Sequence, residues 1–173
     1  MEIRRATGVD AEAIAGIQVR GWQAAYAGLM PQQYLDSLSV ADRTKQWRAW
    51  IDEAAGGVRV WLAEETGSAV AFASTGPSRD PEGEPGTGEV YAIYVEPSMI
   101  GTGRGSELFA HVVADLRAQG YRRAELWVLP GNSHARQFYE RAGWRADGAE
   151  KVQPFGDIEV IEIRYRAELR SPG

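Results

Sequence analysis

The residues best suited to chemistry cluster between Glu89 and Ser106, in the run Glu-Val-Tyr-Ala-Ile-Tyr-Val-Glu-Pro-Ser-Met-Ile-Gly-Thr-Gly-Arg-Gly-Ser. Gly101, Gly103 and Gly105 stand directly before Leu108, Phe109, Val112, Val113 and Leu116, whose spacing sets out one face of a helix. Glycine admits backbone angles and close approaches that a side chain blocks. Amide N–H groups at a helix start lack intrahelical partners and sit at the positive end of its dipole, so the loop suits an anion, with a phosphate or pyrophosphate as the expected occupant. Spacing excludes two familiar phosphate loops. A Walker loop needs Gly-Lys followed by Ser or Thr, and the only lysines are Lys45 and Lys151. A dinucleotide fingerprint begun at Gly101 and Gly103 needs Gly or Ala at 106, where Ser106 stands, and an acidic residue closing the next strand, which Glu125 opens instead. A plain glycine-rich turn stays open at this point.

The segments around the loop must position it. Val90 to Val95 is apolar or aromatic on both alternating faces, as expected of a strand covered on both sides, and Pro97 ends it. The helix after the loop stops at Gly120, and Ala124 to Leu129 is the next strand, so the crossover is right-handed and its two strands are parallel. Next, Asn132 or Ser133 caps a helix on which Ala135, Phe138, Tyr139 and Ala142 form one stripe, before Gly143 ends it and Trp144 begins a strand. Tyr139 falls on the buried face, where a phenol needs a hydrogen-bond partner. Ile158 to Tyr165 finishes the sheet, with Ile161, Ile163 and Tyr165 alternating against charged residues.

Upstream, Met1 to Arg5 is a short strand, and Thr7 with Asp10 resembles a capping box opening a helix through about Arg20. Glycine and proline break the aromatic stretch from Gly21 to Pro31, ahead of Tyr34, Leu35 and Leu38 at helical spacing. Ser39 and Asp42 repeat the cap pattern before a helix whose Trp47, Trp50 and Ile51 share a face, read as core. Val58 to Glu64 and Ala69 to Thr75 form a hairpin. Gly76 to Gly88, with three prolines and with acids at Asp80, Glu82 and Glu84, reads as a solvated acidic excursion in preference to a flap over a binding site.

Composition narrows the classes. A chain of 173 residues, 44% hydrophobic and 25% charged, suits one globular domain with a real core, 1–169, followed by a frayed tail, 170–173. A net charge of -5 argues against a nucleic-acid binder, which needs clustered Lys and Arg, and favours small-molecule partners. Without cysteine there is no disulfide, thiolate nucleophile or thiolate metal site, and with only His111 and His134 no metal is expected. No membrane span or signal core is visible, which makes the cytoplasm the expected compartment, and a homodimer is left open.

The spacing of Ile100, Gly103 and Gly105 resembles the acetyl-CoA motif Gln/Arg-x-x-Gly-x-Gly/Ala of the GCN5-related N-acetyltransferases (GNAT), with Ile100 at the polar position. The run Asn132-x-x-Ala135-x-x-Phe138-Tyr139-x-x-x-Gly143-Trp144 is similar to the same family's Asn-x-x-Ala-x-x-Phe-Tyr-x-x-x-Gly-Phe segment. Two such segments, in order and in the right contexts, are far more specific than either alone. The resemblance covers Glu2 to Leu169 and is closest from Glu89 to Trp144. It implies an α/β fold: a mixed, largely antiparallel sheet with helices on both faces, whose central strand and the strand at Ala124 splay apart to admit pantetheine.

The implied activity is acyl transfer from acetyl-CoA, without a metal, to a primary amine of a small acceptor by direct attack. Ile100, Gly101, Thr102, Gly103, Arg104, Gly105 and Ser106 would hold the CoA pyrophosphate mainly through backbone amides. Main-chain groups of Ile93, Tyr94 and Val95 would pair with pantetheine, a peptide N–H near Val95 stabilising the oxyanion. Asn132 and Ala135 would complete the cofactor side, and Tyr139 would protonate the departing thiolate. An ammonium must lose a proton before it attacks; Glu89 is the best candidate base, and is equally readable as an exposed strand-end carboxylate. Trp22 and Tyr26, four residues apart, either pack together or form the acceptor wall. A non-catalytic CoA-binding or acyl-CoA-binding regulatory module is the alternative, supported by Ile100. Polyamine, aminoglycoside, amino acid and protein N-terminus all stay open as acceptors.

Overall fold

The computed structural model describes residues 1–169, so the tail expected at 170–173 lies outside the described residues. In chain order the elements are β1 (Glu2–Arg5), α1 (Ala11–Ala25), α2 (Gln32–Asp36), α3 (Val40–Asp52), β2 (Arg59–Glu65), β3 (Ser68–Pro77), β4 (Thr87–Val95), α4 (Arg104–Ala118), β5 (Arg123–Val128), α5 (Ser133–Arg141), β6 (Arg145–Phe155) and β7 (Ile158–Glu168). The seven strands form one sheet in the order β1-β2-β3-β4-β5-β7-β6. Among the described residues, β4 and β5 are the only neighbouring strands of this sheet that run parallel.

Alternation along the central strands divides the core into two layers. Ala71, Ala73 and Val90 pack with Leu108, Phe109, Val112 and Leu116 of α4 and with Tyr139 of α5. Leu62 and Phe72 face the other way, against Ile14 and Ile17 of α1 and Trp47 of α3. A third, smaller cluster joins Met30 and Leu35 to Leu129.

The parallel pair is short. Register runs through Thr87↔Arg123, Gly88↔Ala124 and Glu89↔Glu125 and goes no further, although β4 continues to Val95 and β5 to Val128. On its other side β4 stays paired with β3 as far as Val95, through a bulge: Thr75 opposes Val90 and Ser74 opposes Ala92, which leaves Tyr91 as the extra residue. A bulge bends its strand and increases the local twist, and here it turns β4 away from β5.

Three expectations need correction, and a fourth needs extension. The α1 helix does not end near Arg20 but runs through Gly21 to Ala25; glycine fits inside it because a Cβ at Gly21 would lie 3.2 Å from Tyr94 Cδ1. Trp47 is buried as expected, whereas Trp50 is 51% exposed. Ile161 and its cross-strand neighbour Val152 both face outward. The acidic loop after β3 is anchored as well as solvated: Asp80 pairs with Arg164 at 2.9 Å, Glu84 with Arg123, and Arg79 with Glu89, while Pro81, Glu82, Glu84 and Pro85 stay exposed. An exposed acidic loop is still held in place when arginines of β5 and β7 lie beneath it.

The start of α1 is fixed by charge. Arg4 donates to both Asp10 oxygens at 2.8 and 2.9 Å and, through Nε, to Glu64 at 2.8 Å, while the Thr7 N–H donates to Asp10 at 2.8 Å. The Arg4 guanidinium holds the Asp10 carboxyl at about 2, below its ordinary 3.8. A depressed folded-state value stabilises the fold above the unfolded value, and that contribution is lost as pH falls through the folded one. The Asp10→Asn protein should therefore melt several degrees below the parent at neutral pH, and the gap should close as pH falls from 3.8 toward about 2, as measured by thermal melts across that range.

Candidate active site

The glycine loop takes the form that an anion cradle requires. Gly101 and Gly103 have φ of 81° and 86°, in the region where side chains are strained, and a Cβ on either would meet open space. Gly105 is small for another reason: its Cβ position is 3.2 Å from Val95 Cγ2 and 3.6 Å from Phe138 Cε2, so α4 packs tightly on β4 and α5. The Ile100 N–H donates to Pro97 and the Thr102 N–H to Met99. Among the described residues no acceptor meets the N–H groups of Gly101, Gly103, Arg104, Gly105 or Ser106. The Arg104 guanidinium is engaged by the Glu65 carboxylate, so this residue offers the loop its amide and not its charge. Ile100 is half exposed beside the same loop.

Beyond Glu89 the separation of β4 and β5 opens a cavity of about 160 Å³. Ile93, Tyr94 and Val95 form one wall, Asn132, Ala135 and Tyr139 another, and Ile100 and Gly105 bring the loop to its edge; Gly101, Thr102, Gly103, Arg104 and Ser106 lie outside its lining. The Glu96 N–H bonds to Val70 on β3. Strand alternation therefore turns the N–H and C=O of Val95, and of Ile93, toward the edge that β5 has left. Asn132 caps α5 through Oδ1, which accepts from the Ala135 N–H at 3.2 Å, and so shapes this wall without projecting a free amide oxygen into it.

A second cavity, of about 860 Å³, lies on the α1 side. Tyr26, Tyr91, Ala92, Tyr94 and Trp127 line both cavities, so the two abut through these walls. Trp22 and Tyr26 both line the larger one. They pack edge to face at 5.3 Å, so the packing and cavity-wall readings hold together. The Trp22 indole N–H is buried without a partner, and Arg43 stacks over that ring at 5.1 Å. Trp47 and Trp50, read from sequence as core, also line this cavity.

Glu89 is not an exposed strand-end carboxylate: it is 1% exposed and lines the larger cavity. Arg79 holds it twice, through its main-chain N–H to Oε2 at 2.9 Å and through its guanidinium to Oε1 at 3.0 Å. Glu162 on β7 also lines the cavity, and burial raises its carboxyl above the ordinary range. Sequence reasoning set Glu162 aside as the outward partner of an alternating strand. The signal that would have found it is the position of β7 between β5 and β6, a long-range insertion that strand periodicity does not encode.

Three phenols line the gap. Tyr26 and Tyr94 share a hydrogen bond at 2.9 Å, and burial raises Tyr94 to about 12 and Tyr26 well above an ordinary phenol. Tyr139 is 9% exposed, packs against Phe109, Phe138 and Tyr165, and is also raised by burial. Its hydroxyl has no hydrogen-bond partner among the described residues, although it lines the cavity between the strands.

Comparison with known proteins bears on the family. Residues 22–144, more than half of the chain, match the model of the acetyltransferase (GNAT) family. The uncharacterized N-acetyltransferase YuaI of Bacillus subtilis is 33% identical over 130 residues, spanning 75% of this chain and 72% of that protein. A mycothiol acetyltransferase of Thermobispora bispora is 35% identical over 109 residues, 61% of this chain but only 36% of that longer protein. The crystal structure of the PaiA N-acetyltransferase of Thermoplasma acidophilum in complex with coenzyme A superposes with a TM-score of 0.74 at 16% identity, covering 96% of this chain and 98% of that one. With the family model and the YuaI match in agreement, the chain belongs to the GNAT family, as an acetyl-CoA-dependent N-acetyltransferase.

Proposed function

We propose that residues 1–169 act as one domain that acetylates a primary amine of a small acceptor by direct attack on acetyl-CoA. The observation that carries this reading is the contact between the two cavities along Tyr26, Tyr91, Ala92, Tyr94 and Trp127, which lets an amine in the larger one reach a thioester in the smaller. The amides of Gly101, Gly103, Arg104, Gly105 and Ser106 cradle the pyrophosphate at the positive end of α4, where their unpaired N–H groups need an anion. Pantetheine extends along β4 and takes up the main-chain groups of Ile93 and the C=O of Val95 that β5 leaves unpaired. As the amine attacks, the carbonyl carbon becomes tetrahedral and its oxygen gains charge, which the Val95 N–H offsets. The C–S bond then breaks and the thiolate leaves.

Tyr139 is the donor to that sulfur. A free thiol has a pKa of about 8.5, well below the raised phenol, so Tyr139 stabilises the departing thiolate by a hydrogen bond more than by complete proton transfer. The amine loses its proton toward the cavity carboxylates, directly or through water. Glu89 contributes to this chiefly by holding Arg79 and setting the local charge, because both of its oxygens are already engaged. Incubating the protein with acetyl-CoA and a panel of amines, and looking for a 42 Da increase in acceptor mass, about one acetyl group per amine, tests the reaction class directly.

Two outcomes follow for the cofactor side. Gly103→Ala adds the strain of a positive φ, roughly 1–2 kcal/mol, and nothing else, because its Cβ enters open space. Gly103→Asp adds the same strain plus a carboxylate where pyrophosphate sits. Calorimetric titration with CoA should give binding by the alanine variant, moderately weakened, and no detectable binding by a folded aspartate variant. Tyr139→Phe keeps the ring packing and removes the hydroxyl, so kcat should drop on the order of 10²-fold while CoA affinity and melting temperature stay near parental values. Because burial holds the phenol protonated above its ordinary 10, the parental rate should show no loss attributable to Tyr139 between pH 7 and 10.

A further inference from the structure

The larger cavity is lined by three carboxylates and three cations: Glu53, Glu89 and Glu162 against Arg43, Arg79 and Lys151. Glu89 and Arg79 satisfy each other. Glu162 is partly buried, yet no ion pair or hydrogen bond reaches it among the described residues. Its cross-strand neighbour on β6 is Lys151, but that ammonium lies over the Trp127 ring, 4.4 Å from its centre. Lys151 and Arg79 act on that carboxylate only through space, and a half-desolvated carboxylate with no contact partner favours a further cation beside it. Arg43 and Lys151 have no acidic partner either and rest on aromatic faces. They would repel a second ammonium. The remaining lining is dominated by rings, among them Trp22, Trp47, Trp50, Tyr91 and Phe155. Apolar flat surface of this kind favours a ring-shaped body.

We propose that Glu162 holds the ammonium of the amine that enters this cavity, and that this amine is a monoamine with an aromatic body, not a polyamine or an aminoglycoside. This rests on the acetyl-transfer reading for its chemistry, but its test does not require turnover. Titration of the full chain, with CoA present, is followed by the fluorescence of the cavity tryptophans. Phenethylamine should give saturable quenching, and spermidine and kanamycin should bind at least tenfold more weakly. In Glu162→Gln, phenethylamine should bind about tenfold or more weakly, the loss expected for a charge-assisted hydrogen bond, with CoA affinity unchanged. Glu162→Asp should fall between the two. Equal phenethylamine affinity in the parent and Glu162→Gln, tighter binding of spermidine than of phenethylamine, or saturable binding of none of these amines would overturn the proposal. Phenethylamine bound through Glu162 but never acetylated would leave this assignment standing and count against the acetyl-transfer reading alone.

Discussion

The parallel pairing of β4 with β5 lasts for three residue pairs and then stops, and the rest of the site depends on that interruption. An unpaired strand edge in the middle of a sheet is costly, because each buried N–H and C=O needs a partner. Two features hold the edge open. The bulge at Tyr91 bends β4 while its pairing with β3 continues, and Tyr91 Oη donates to the Pro77 carbonyl at 2.6 Å, which fixes the bulged residue. The last parallel pair, Glu89↔Glu125, sets two buried carboxylates side by side. Like charges in adjacent register positions oppose further pairing. Each is clamped by a different arginine, Glu89 by Arg79 and Glu125 by Arg166 at 3.3 Å.

Those clamps tie the site to the loop above it. Ser78 donates to Glu125, Arg79 holds Glu89, and Asp80 reaches Arg164, so three consecutive residues of the acidic loop are fastened to β4, β5 and β7. The loop is therefore part of the wall of the larger cavity, through Arg79, and it is tied to the sheet although Glu82 and Glu84 remain exposed. On the opposite side, α1 carries Trp22 into the cavity because Gly21 lets the helix pass close to Tyr94. The Arg4–Asp10 cluster fixes where that helix begins. Distant ion pairs thus set the position of aromatic side chains that line the larger cavity.

Much of the fold was legible because its signals are local. The glycine spacing ahead of α4, the Asn132 cap and the Phe138-Tyr139 stripe are each encoded within a single turn or helix, and the structure has them where the sequence suggested. The hairpin of β2 and β3 was legible for the same reason, with Gly67 at a φ of 80° in its turn. What escaped depends on residues far apart in the chain. Helix α1 ignores the apparent break at Gly21 because the tight approach of Tyr94 explains the glycine. The anchoring of the acidic loop escaped because its arginines come from β5 and β7. Glu162 looked like a surface residue because alternation says which residues share a face, but not that this face of β7 borders a cavity. Trp50 illustrates the same limit: helical spacing placed it beside Trp47, and only the tertiary structure separates the buried ring from the exposed one.

The central claim is that unpaired main-chain groups, those of the β4 edge and of the glycine loop, are the acetyl-CoA site. Hydrogen exchange of backbone amides tests it most directly, because these groups lack internal acceptors in the free protein and gain them only from the ligand. With acetyl-CoA added, the amides of Ile93, Val95, Gly101, Gly103, Arg104, Gly105 and Ser106 should slow markedly, while those of Phe72 and Leu126, in strand pairs already complete, should change little. Equal exchange at the loop and the β4 edge with and without saturating acetyl-CoA, or protection confined to another part of the chain, would contradict the account.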